Sequence, residues 1–302
     1  MVEAIANSIE DKLVDSLQFK LKEGASYINE RRSVTFFPQG SNIYMPGNKG
    51  GTRVIKIMLT DSNSWLDPST FRVMFDLRNN NGLEAAQLRP IGGPWSFFRR
   101  IKLVCSQTAE DIDFYGRTHE MMHTLTSKAS RENDVCDGFG NELTILEDYV
   151  GRDQATTFYG IPGGQSMTVL FRPILGLLTQ PNFLPLSKMG PMVLELELVD
   201  EFNDSVVAPD AAVSTDSNKF TTGNTSNDWQ IENVQVKCDL VTLDNGLQNS
   251  YDAHLLAGNA YPINYNTFIT QCQNVIGGTG LIGASTITLG QQKINLCVTS
   301  CY

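Results

Sequence analysis

The stretch W-L-D-P-S-T-F-R-V-M-F-D-L-R-N, Trp65 to Asn79, decides the fold. Within it Phe71, Val73, Phe75 and Leu77 point one way, while Arg72, Met74 and Asp76 point the other. That is the period-two pattern of a strand with one face on a core. The same alternation returns in Met192 to Val199, with Leu194, Leu196 and Leu198 facing in and Glu195 and Glu197 facing out. It returns again in Val234 to Leu240, where Val234, Val236, Cys238 and Leu240 oppose Gln235, Lys237 and Asp239. Weaker versions lie at Val34 to Phe37, Arg53 to Leu59, Phe98 to Val104 and Met167 to Phe171. About seven or eight strands, separated by Gly, Pro and Asn turns such as Met45 to Gly51, describe an all-β antiparallel sandwich of the jelly-roll kind.

Two segments carry helical spacing instead. Near the N-terminus Ile5, Ile9, Leu13, Leu17 and Leu21 recur every fourth residue with charged residues between them, an amphipathic helix whose stripe needs a partner. The second helix is expected over Gly116 to Ser127, with Met121, Met122 and Leu125 as packing residues and Glu120 paired to Arg117 one turn earlier. The chain therefore divides into an N-terminal amphipathic arm (1–26), a jelly-roll domain (27–245) and a following segment (246–302). Within the domain, Glu201 to Asp228 has no period and few large apolar residues, so a long surface loop is expected. After Gly246, Leu247 to Leu256 reads as a short helix and Pro262 to Phe268 as an extended piece.

Composition narrows the function classes. With 302 residues, of which 41% are hydrophobic, the chain can build a sizeable core. It holds no run of 18 apolar residues, so no membrane span is expected, and charges throughout the first 25 residues do not fit a secretory signal. The six cysteines, at 105, 136, 238, 272, 297 and 301, have no C-x-x-C spacing and read as reduced thiols of a protein made in cytoplasm or nucleus. A net charge of −10 argues against a protein that works by neutralising phosphate. The basic pairs Arg31-Arg32 and Arg99-Arg100 read as solvated or ion-paired residues at strand edges.

One motif carries possible chemistry. His119-Glu120-Met121-Met122-His123 fits H-E-x-x-H, in which a helix presents two imidazoles to zinc and the Glu activates a metal-bound water. A zinc metallopeptidase using His119 and His123 as ligands and Glu120 as base is thus the alternative reading. Thr126 and Ala129 stand where an extended motif would place its Gly and third His, which leaves Glu142 or Glu147 as candidate third ligands. Against it, such enzymes set the motif in a helix-rich domain, and this chain reads as nearly all β. Packing is the bland explanation and the preferred one, with no cofactor and no metal expected. Glu110, Asp111 and Asp113 could offer oxygen ligands to a hard cation, or form an acidic turn before the helix. Gly92-Gly-Pro-Trp95 lacks the Lys-Ser/Thr of a phosphate loop and reads as a tight turn that seats Trp95. A carbohydrate-binding sandwich, using exposed aromatics and the long loop, is a third reading.

Three runs together resemble the N-terminal half of the double jelly-roll major capsid proteins of polinton-like viruses and virophage-related double-stranded DNA viruses. They are the opening stretch, L-R-P-I-G-G-P-W-S-F-F-R-R-I-K-L-V (Leu88 to Val104) and E-D-I-D-F-Y-G-R-T-H-E-M-M (Glu110 to Met122). The resemblance runs from about Tyr27 to about Phe268 and weakens at 203–228 and after Val275. The family pattern R-x-H-E-M-M covers His119 to Met122 without zinc and leaves only His123 unaccounted for. The resemblance implies a non-enzymatic protein with two upright jelly rolls, homotrimeric pseudo-hexagonal capsomers and an icosahedral virion shell. Its implied partners are neighbouring capsomers and penton or minor capsid proteins, with no strong sequence-specific nucleic-acid binding. Interface candidates are Ile5, Ile9, Leu13 and Leu17 of the arm and the neighbourhoods of Trp65 and Trp95. Tyr265 to Gln271 would open the second jelly roll. Only 34 residues follow Phe268, where a further domain needs on the order of 150. A piece of a longer protein, or an interrupted reading frame, is expected.

Overall fold

The computed structural model describes residues 28–105, 107–127, 160–209 and 220–270. The arm with Ile5, Ile9, Leu13 and Leu17, the candidate ligands Glu142 and Glu147, and Cys136, Cys272, Cys297 and Cys301 lie outside the described residues.

In chain order the strands are β1 (Ile28–Phe36), β2 (Ile43–Tyr44), β3 (Val54–Leu59), β4 (Trp65–Asn79), β5 (Gln87–Leu88), β6 (Phe98–Cys105), β7 (Gln107–Ile112), β8 (Ser166–Phe171), β9 (Leu184–Pro185), β10 (Met192–Leu198), β11 (Thr225–Ser226) and β12 (Trp229–Leu243). The helices are α1 (Tyr115–Leu125), the single turn α2 (Gly176–Thr179) and α3 (Asn245–Leu256). One sheet runs β1-β12-β4-β8 and the facing sheet β3-β10-β6-β7. Leaving aside the two-residue strands, the first strand pairs with the eighth, the second with the seventh, the third with the sixth and the fourth with the fifth, all antiparallel. This nested pairing is the jelly-roll topology.

Alternation builds the core as expected. Phe71, Val73, Phe75 and Leu77 are fully buried, and so are Leu194, Leu196 and Leu198 on the facing sheet. At about 1.5–3 kcal/mol for each large apolar side chain buried, β4 alone contributes roughly 6–12 kcal/mol from those four. Phe75 meets Phe98 edge-to-face at 5.6 Å, and Phe97 meets Trp229 at 4.8 Å, which joins the two layers. The Asp67-Pro68 step does not end β4. Its register against β12 jumps between the Arg72 and Asp67 pairings, and Asp67 holds the resulting bulge by accepting from Ser69 N–H and Oγ.

Four expectations need correction. Of the acidic turn before the helix only Asp113 lies in a turn; Glu110 and Asp111 belong to strand β7, which the polar run Gln107–Ile112 disguised. In α1 the buried face is Tyr115, Thr118 and His119, while Met121 and Leu125 are 58% and 75% exposed. The loop 201–228 is tied down where it is described. Phe202, Ser205 and Val206 are buried, Val206 bridges Pro90, and β11 pairs in parallel with β5. Residues 265–270 lie outside any named strand, and Tyr265 and Phe268 pack against this core.

Candidate functional site

Three glycines allow α1 and the turn before β6 to meet. Pro94 opens the 3-10 turn Pro94–Phe97, with its fixed φ at the first position where no N–H is missed. A Cβ at Gly93 would strike the Trp95 ring, one at Gly92 would lie 2.9 Å from Glu120 Oε2, and one at Gly116 would lie 3.0 Å from the Trp95 carbonyl. Trp95 is thereby pressed against α1 and is only 3% exposed.

The whole H-E-x-x-H motif closes on this indole. The His119 ring lies flat on Trp95, 4.1 Å between centroids and 2° from parallel. His123 leans on it at 4.8 Å, and Glu120 Oε2 accepts the indole N–H at 2.7 Å. Glu120 thus serves Trp95, not Arg117. The Ile174 N–H donates to the Tyr115 hydroxyl, which lies 2.9 Å from His119 Nδ1. Burial first, and then the neighbouring His123, push the His119 imidazole down to about 3, so it is neutral at ordinary pH. In a zinc site the two imidazoles would converge on a metal with a third ligand. Here they converge on tryptophan, and among the described residues no three His, Cys, Asp or Glu gather.

The acidic run is divided by strand alternation. Glu110 points inward and is 2% exposed, whereas Asp111 takes a two-pronged grip on Arg100 from outside. Asp113 sits 3.6 Å from Arg99. Three carboxylates so dispersed do not form one cation site. Both basic pairs are ion-paired within the domain: Arg31 to Asp67 and Asp239, Arg32 to Asp61, Arg99 to Asp200 and Asp113, and Arg100 to Asp111. Burial, followed by the charges of Asp239 and Asp67, pushes the Cys238 thiol up to about 12.

Trp65 is half-buried and seats α3. Its indole N–H donates to Gln248 Oε1 at 3.1 Å, and its ring meets Tyr251 at 5.0 Å. Around Trp95 the outward surface comes from its neighbours, with Ile91 60% exposed beside Gly92. Sequence reasoning missed Tyr115 and read Glu110 as part of an acidic turn or cation site, because each is a polar group at an inward position with a partner more than fifty residues away. No helix among the described residues is long and apolar enough to cross a membrane.

No family model matches the chain, and no curated protein matches it. Among solved structures it is similar to the PBCV-1 virus capsid, at 13% identity and a TM-score of 0.46, covering 83% of this chain and 50% of that one. It is similar to a chain of the Sputnik virophage at 9% identity and a TM-score of 0.46, covering 76% and 52%. The mavirus major capsid protein gives 12% identity and a TM-score of 0.38, covering 84% and 52%. The chain spans about half the length of each of these.

Proposed function

We propose that the chain is a structural protein, the first jelly roll of a double jelly-roll major capsid protein from a polinton-like or virophage-related virus. In this reading three copies make a pseudo-hexagonal capsomer, and capsomers tile an icosahedral shell together with penton or minor capsid proteins. The observation that carries the reading is the nested pairing of the eight longer strands across two sheets, in a chain whose sequence between Trp65 and Met122 resembles that family. The polar groups of the described domain support it. Motif histidines, acidic run and basic pairs are taken up in packing and ion pairs, and none is gathered at a reactive centre. The work is then complementarity between chains and not chemistry.

The full reading frame that contains this chain, expressed and viewed by negative-stain microscopy, is expected to give six-sided particles of capsomer size. Particles the size of one chain, with no six-sided outline at any concentration, would contradict the reading.

A further inference from the structure

The extended segment after α3 returns over the domain and meets it in a built site. Ile263, Tyr265 and Phe268 pack against the core, and the Tyr265 hydroxyl donates to the Ala109 carbonyl at 2.9 Å. The Thr118 and Thr270 hydroxyls are hydrogen-bonded at 2.8 Å. At the centre lies Glu110. Its carboxylate accepts the Gly176 and Leu177 N–H groups at 2.8 and 2.6 Å and the Thr267 hydroxyl at 2.9 Å. Gly176 completes the site, since a Cβ there would collide with the Asn266 carbonyl oxygen.

We propose that residues 262–270 form a strap seated in this site, with Glu110 and Gly176 as the positioning residues that fix where the chain leaves the jelly roll. A carboxylate buried to 2% exposure is costly unless its oxygens are filled, and the strap supplies one of the three donors that fill them. Burial still holds the Glu110 carboxyl above the usual range, against the pull of Leu177, Gly176 and Thr267. The site also joins three pieces far apart in sequence: β7, the α2 turn and the strap. A flexible tether would need neither the inward carboxylate nor the missing side chain at position 176. Whatever follows Thr270 therefore starts from a set point beside α1. This inference does not rest on the capsid reading.

Amide hydrogen exchange on the full chain tests it. Strap amides at 265–270 are expected to exchange at least about tenfold more slowly than in a free peptide. Gly176→Leu should abolish that protection while β4 and β12 keep theirs. The paired strap changes Tyr265→Phe and Thr267→Val should weaken it without disturbing any strand, which keeps the test decisive if Gly176→Leu fails to fold. Glu110→Gln, which sets an amide NH2 against a backbone N–H, should speed exchange in both the strap and 176–179. Strap amides exchanging at free-peptide rates in the natural sequence, or protection unchanged by the strap variants, would overturn the proposal.

Discussion

His119 is held neutral by the interior, and that has a measurable sign. Its ordinary value of 6.5 applies to the unfolded chain and about 3 to the folded one, so between those limits the unfolded state binds more protons. Stability should therefore fall as pH drops below about 6.5 and go on falling toward 3. In His119→Gln, urea melts should show lower stability at pH 7 but a shallower loss between pH 6.5 and 4; parallel slopes would show that the group is not buried neutral. The two histidines should also differ. His119→Ala removes a buried stacked ring and should cost about 2–4 kcal/mol, whereas the half-buried His123→Ala should cost about 1 kcal/mol or less. Metal analysis should give well below one zinc per chain, and chelator should leave both melts in place. Stoichiometric zinc lost in His123→Ala would restore the metallopeptidase reading.

The helix α1 reverses a propensity argument. Gly to Ala inside an exposed helix should gain about 1 kcal/mol. At Gly116, however, a Cβ would lie 3.0–3.2 Å from the backbone of Trp95, Ser96 and Phe98. Gly116→Ala should instead lose about 1–3 kcal/mol in thermal or urea melts. The same helix shows where sequence reading stops. Strands β4, β10 and β12 were legible because aliphatic and aromatic side chains mark their inner faces at every second residue. Strand β7 and the inner face of α1 were not, because Glu110, Thr118 and His119 occupy positions that pattern reading assigns to water. Their partners, Gly176, Thr270 and Trp95, can be found only in three dimensions. The H-E-x-x-H motif was fully visible, but the indole that occupies it was not. The N-terminal arm is an element of another kind, for which we propose an assembly role. Its stripe of Ile5, Ile9, Leu13 and Leu17 is worth roughly 6–12 kcal/mol if fully buried. Deleting residues 1–24 should leave the melting temperature of the domain nearly unchanged while weakening self-association in sedimentation. A large drop in the melting temperature of the monomer would place the arm in the core.

At the scale of the whole molecule the described surface is marked by ion pairs and net negative charge. The solvent face of the β3-β10-β6-β7 sheet is laced by Lys56 to Glu195, Arg53 to Glu197 and Arg100 to Asp111, and the chain carries a net charge of −10. Exposed pairs of this kind contribute little stability each, so the jelly roll stands on its two-layer core. If copies assemble as proposed, apolar complementarity must overcome the repulsion between like-charged copies, and raising salt should favour assembly by screening. The measurement that bears most directly on the capsid account is the solution mass of the full reading frame by light scattering over a wide concentration range. The account predicts a mass of three chains, populated more at high salt. A mass of one chain at every concentration and salt would contradict it.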